Sequence, residues 1–192
     1  ILMFLAMIPF QWYNVYSGAY LKEKGFEFVT LTMNLGQVFE LLFMLAIPFI
    51  LRKAGYKWAM VLAMGAMMLR YVSFFCGAKW GFIVGDFGGI LIHGLIFGLL
   101  IVGSQMYVDI VSPPELRVQA QGLISLVLFG AGTVASNYVF SKLLERFTLP
   151  GGCHDWSVPY LVSSIASALL VFAVAIFFNP ANKENDSSRS NK

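Results

Sequence analysis

Apolar residues fill long runs along this chain, and the polar ones that interrupt them recur at helical spacing. The run 28–51 sets the pattern. As a helix it extends about 36 Å, enough to cross a hydrocarbon core of about 30 Å. Its single charge, Glu40, falls at the midpoint. Thr30, Asn34, Gln37 and Glu40 follow at intervals of four, three and three, which places them in one polar stripe on an otherwise apolar cylinder. A carboxylate at that depth is costly against lipid and must face a protein interior or a wet cavity. It serves either as a hydrogen-bonding link between helices or as part of an ion or substrate pathway. The second reading is preferred, because intramembrane acids mark such pathways.

Five further runs follow the same logic, at about 1–20, 58–76, 81–108, 118–144 and 158–178. The first contains Pro9, then Gln11 and Asn14 at i, i+3, which either join helices or contact a polar solute. In 58–76, Arg70 lies about two turns from the end and is expected to snorkel or pair locally. The run 81–108 is rich in glycine, which permits close helix contacts, and carries His93 near mid-membrane, open to a proton relay or to a bond with a neighbouring helix. Ala131/Ala135 and Gly132/Ser136 are two small-xxx-small pairs. The run 158–178 is bland and expected to face lipid. The connector 21–27 reads as a plain solvated turn, and Gly55 in the basic loop 52–57 suits a helix C-cap. The pattern predicts an all-α bundle over 1–180 with six spans in two three-helix units, followed by a polar, disordered cytoplasmic tail over 181–192.

Composition agrees. The 192 residues are 58% hydrophobic and 12% charged, against about 25% charged in soluble domains. Mean hydropathy is +0.74, so the chain reads as an integral membrane protein embedded in a lipid bilayer. The net charge of +3 is small and spread over the loops, so nothing points to nucleic acid and no such partner is expected. No nucleotide-binding loop and no Ser/His/Asp or Cys/His set is visible, so neither an enzyme nor a cofactor is expected. Cys153, His154 and Asp155 are adjacent and make a poor metal site, so no metal is expected. Cys76 and Cys153 are expected to be free thiols, since nothing in the pattern brings their loops together. The chain opens on Ile within an apolar run, and is expected to continue upstream. Six spans put both ends on the side that holds Arg52, Lys53, Lys57, Arg117, Lys183, Arg189 and Lys192; the other side holds Lys22, Lys24, Lys79, Lys142 and Arg146. The positive-inside rule makes both ends cytoplasmic, in a multi-pass protein of the cell (inner) membrane.

Polar residues at mid-depth fall on the first, second and fourth runs, while the third run of each unit is nearly plain. That arrangement is the nested-repeat pattern of secondary transporters, whose sites lie at the midplane. Amides, phenols and one titratable carboxyl suit a neutral polar solute better than an inorganic ion.

Beyond these patterns, the chain resembles the C-terminal half of the nucleoside:proton symporter family of the major facilitator superfamily. The likeness rests on LGQVFELLFMLAIPF and RKAGYK across the second and third runs, LRY from Leu69, HGLIF from His93, QMYVD from Gln105, RVQAQGL from Arg117 and HDW from His154. The resemblance implies a twelve-helix carrier, with this chain as helices seven to twelve and an N-terminal six-helix half as partner. It implies nucleoside and protons as cargo, a cavity lined by Gln11, Asn14, Gln37 and Glu40, and proton coupling at Glu40. The family pattern has an aspartate where this chain has Gly98, which would leave Glu40 as the only acid deep in a helix. A transport-inactive nucleoside-binding relative and a self-contained six-helix channel or scaffold remain as alternatives.

Overall fold

The computed structural model describes residues 1–180, all helical apart from short connections; the polar tail 181–192 lies outside the described residues. Helix α1 is Leu2–Glu23 and α2 is Val29–Trp80. The rod Ile83–Val111 contains α3 (Ile83–Leu91), α4 (His93–Phe97), a π turn (Gly98–Val102) and α5 (Gly103–Val111). The rod Pro114–Arg146 contains a 3-10 turn (Pro114–Leu116), α6 (Arg117–Ser125), a π segment (Leu126–Ala131) and α7 (Gly132–Arg146). Helix α8 is Ser157–Phe177. Among the described residues, four helices are long and apolar enough to cross a membrane: α2, the two rods and α8.

At 52 residues, α2 would reach about 78 Å if straight, far more than a bilayer needs. It does not run straight. Gly55 sits at φ 70°, ψ 170°, a region open in practice only to glycine, and there the chain folds back. The rod Ile83–Val111 records the result. Gly36, Glu40, Ile47 and Leu51 meet Ile90, Gly94, Gly98 and Gly103 in that order, so the first limb of α2 runs along the rod in the same direction. Met60 meets Gly103, Phe74 meets Gly89 and Gly77 meets Asp86, so the second limb runs in the opposite direction. The loop expected at 52–57 thus reduces to one residue in a single turn of chain.

The small residues decide how the helices pack. Gly132 faces Met7 so closely that a Cβ would lie 2.5 Å from Met7 Cβ, and Ser136 donates a 2.7 Å hydrogen bond to the carbonyl of Ile8. The Gly132/Ser136 pair therefore seats α7 on α1, whereas Ala131 is exposed. Helix α8 lies against the second limb of α2. Tyr160 stacks on Phe74 and Tyr71, and Asn179 accepts from Lys57 Nζ at 3.0 Å. This corrects the expectation that the last helix only faces lipid. Its Tyr160, Ser163 and Ser167 are fully buried, and Leu169, Phe172 and Ile176 form the outer apolar face.

The connector after α1 is also no plain turn. Lys24 forms an ion pair with Asp86, which is completely buried, and also donates to the Gly77 carbonyl at 2.8 Å. Tyr20 donates to the same carboxylate at 2.8 Å. Glu23 accepts from His154 Nδ1, the His154 backbone N–H and Trp156 Nε1 at 2.7, 2.9 and 2.8 Å, which ties the loop after α7 to the end of α1. Asp155 accepts from the backbone and hydroxyl of Ser157 at the start of α8. Cys76 and Cys153 are free thiols. The reason expected for this does not hold, because Cys153 shares a cleft of about 490 Å³ with Gly77 and Ala78.

Candidate functional site

The polar stripe lies where helical spacing placed it. Thr30, Asn34 and Gln37 are exposed and Glu40 is half-buried, so the stripe forms an open polar face and not part of the apolar core. Behind it two helices approach to backbone contact. A Cβ at Gly36 would lie 2.9 Å from the Ile90 carbonyl oxygen, and one at Gly94 would lie 2.5 Å from the Glu40 nitrogen and 2.8 Å from the Phe39 carbonyl carbon. Glycine at 36 and 94 is what lets the first limb of α2 press on α4, and it fixes the backbone of Glu40 beside His93.

His93 Nε2 lies 3.9 Å from Glu40 Oε2, beyond hydrogen-bond range but within reach of a side-chain rotation. The other ring nitrogen, Nδ1, is 3.2 Å from Arg70 Nη2. The imidazole stacks on Tyr13 at 4.9 Å, and the Arg70 guanidinium sits 4.2 Å from the same tyrosine ring. Arg70 is 0% exposed, so it does not snorkel. The third span is therefore not plain. It delivers a buried cation to the centre of the bundle, joined through His93 to the coupling candidate Glu40.

Gln11 and Asn14 behave differently from each other. Gln11 is buried and donates to Thr133 Oγ1 at 2.8 Å, while exposed Asn14 donates to Gln11 Oε1 at 3.1 Å. Thr133 in turn donates to the carbonyl of Phe129, within the π segment of the second rod. Among the described residues no hydrogen bond joins this pair to Gln37 or Glu40. Of the four candidate residues, Asn14 and Gln37 are the amides presented outward, with Gln11 holding Asn14 in place.

Glu40 is less enclosed than Asp86, whose side chain is 0% exposed against 23% for that of Glu40. Asp86 lies in the first turn of α3 and is neutralised by Lys24, whereas Glu40 faces only a histidine. Thr133 was not singled out in the sequence, and Arg70 and Lys24 were named there without these partners. The available signal was the rarity of charge inside such apolar runs, which applied to Arg70 as much as to Glu40.

At Gly98, where the resemblance called for an aspartate, a Cβ would lie 2.7 Å from Ile47 Cδ1 and 2.8 Å from Cγ1. Ile47 is buried and fills the place a carboxylate would need. Gly98→Asp is expected to lower thermal stability in detergent, and Gly98→Asp with Ile47→Ala to recover most of the loss. Equal stability of the single and double variants would show that the side chain at 98 points elsewhere.

Long apolar rods, an all-helical bundle and an open polar face define a multi-pass membrane protein. The nucleoside H+ symporter family model matches residues 1–183, and the chain belongs to that family. It is 30% identical over 188 residues to the putative nucleoside transporter YegT of Escherichia coli strain K12, covering 94% of this chain and 44% of that protein. It is 28% identical over 158 residues to the nucleoside permease NupG of the same organism, covering 79% of this chain and 36% of NupG. A crystal structure of the nucleoside transporter NupG superposes with a TM-score of 0.84 at 25% identity, over 93% of this chain and 47% of NupG. The chain thus spans less than half the length of the relatives it matches.

Proposed function

We propose that this chain is the C-terminal half of a proton-coupled nucleoside carrier of the cell membrane. The two limbs of α2, together with α1, the two rods and α8, make six crossings in two three-helix units, with both ends cytoplasmic. The directions of packing support this count, since the two limbs of α2 run opposite to each other and the second limb runs opposite to the rod that follows it. Nucleoside binds on the open polar face through Asn14 and Gln37, with Gln11 and Glu40 behind them. Glu40 binds and releases the coupled proton. The observation that carries the reading is a half-buried carboxyl on a polar face, with no lysine or arginine paired to it among the described residues. Such a group is free to change protonation as solute comes and goes.

The missing half supplies the other wall of the cavity, and alternating access needs the two halves to rock against each other. In liposomes, the full-length protein is expected to accumulate nucleoside when the side of origin is acidified, with accumulation abolished by a protonophore. The 192-residue chain alone is expected to insert without transporting. Saturable uptake by the chain alone would refute the half-carrier reading. Gly98 gives the second reading a specific footing, since Ile47 occupies the place of the family's aspartate. Nucleoside binding without accumulation by the full-length protein would favour that transport-inactive relative.

A further inference from the structure

Arginine carries only hydrogen-bond donors. At 3.2 Å from Arg70 Nη2, His93 Nδ1 must therefore accept, and the single ring proton of a neutral imidazole belongs on Nε2. Nε2 is the atom that faces Glu40. Arg70 itself is completely buried, and its Nε and Nη1 have no hydrogen-bond partner among the described residues. No carboxylate there pairs with it directly, and a buried guanidinium is unfavourable without a compensating anion. The acid beyond the bonded imidazole is Glu40, whose Oε2 lies 3.9 Å from His93 Nε2. The other titratable groups facing this cluster are Tyr13 from α1 and Tyr71 from the second limb of α2, and the Tyr71 hydroxyl already donates to the Pro9 carbonyl.

We propose that Arg70 is a positioning residue for the coupling carboxyl: it locks His93 as the Nε2–H tautomer, and His93 offers that hydrogen to ionised Glu40. His93 is then a fixed donor and does not carry the transported proton. Because Gly94 pins the Glu40 backbone, only side-chain rotation separates the present 3.9 Å spacing from a hydrogen bond. The contact closes when Glu40 is ionised and opens when a proton occupies the carboxylate. The link to transport rests on the carrier reading above; the tautomer does not.

The test is nitrogen-15 magnetic resonance on full-length protein labelled at histidine, in lipid, at neutral pH, with the His93→Asn spectrum subtracted to isolate the ring. The expected spectrum has an unprotonated, hydrogen-bonded Nδ1 and a protonated Nε2. Arg70→Met should lose that preference and Arg70→Lys, which keeps a cationic donor, should retain it. Glu40→Gln should shift the Nε2 resonance and leave Nδ1 in place. An imidazolium or an Nδ1–H tautomer in the unaltered protein overturns the proposal, even if Arg70→Met does not fold. So does an Nε2 resonance indifferent to Glu40→Gln. If Glu40→Gln still accumulates nucleoside while the resonances behave as expected, the coupling assignment fails and the donor relay stands.

Discussion

Gly94→Ala is expected to be among the most damaging single substitutions in this chain. The added methyl would meet backbone of the neighbouring helix, 2.5 Å from the Glu40 nitrogen and 2.8 Å from the Phe39 carbonyl carbon. A flexible side chain could move aside, but two packed helix backbones cannot without separating. Overpacking a close-fitted core costs about 1–3 kcal/mol, and a backbone clash falls at the upper end. The separation also pulls Glu40 away from His93, so activity should fall more than stability alone accounts for. Gly65→Ala is the control: a Cβ there meets nothing within 4 Å, and alanine in a helix interior is favoured by about 0.5–1 kcal/mol. Thermal unfolding in detergent checks both. Equal melting temperatures for the two variants would mean that α2 and α4 are not in backbone contact.

The second large effect is expected at Lys24→Met. Asp86 is fully enclosed, and the Lys24 side chain is only 16% exposed. Removing the cation leaves a buried carboxylate with the Tyr20 hydroxyl as its remaining side-chain donor. Breaking one partner of a buried pair costs about 3–5 kcal/mol, while replacing both by apolar groups is often near neutral. The double variant Lys24→Met with Asp86→Leu should therefore be more stable than Lys24→Met alone. Leucine is bulkier than the carboxylate, and Gly77 leaves little room, so recovery will be incomplete. Melting temperatures of the single and double variants decide this. A double variant as unstable as the single would show that the pair contributes through shape and not charge.

Features of the fold and the site differ in how far the sequence disclosed them. The rods, the turn at Gly55, the Gly132/Ser136 seat and the stripe ending at Glu40 were legible because each depends on periodicity within one run or on one residue's backbone freedom. Lys24–Asp86, Arg70–His93 and Gln11–Thr133 were not, because each joins positions far apart in the chain. A charge read alone in an apolar run shows that a partner is needed without naming it. Reading Arg70 as a snorkelling side chain failed for that reason: depth along a helix does not reveal which face meets another helix. The last span shows the same limit, since Tyr160 and its serines look unremarkable until α8 is laid against α2.

The chain belongs to the nucleoside H+ symporter family, and the proposed carrier reading assigns the coupled proton to Glu40. Glutamine at position 40 keeps the size and hydrogen-bonding capacity of glutamate but cannot titrate. The most direct measurement is therefore a pair of assays on the full-length Glu40→Gln protein: nucleoside accumulation against a pH gradient in liposomes, and nucleoside binding by calorimetry. The account predicts binding that remains measurable and accumulation that is lost. Accumulation at the level of the unaltered protein would contradict it and leave Glu40 a structural link between helices.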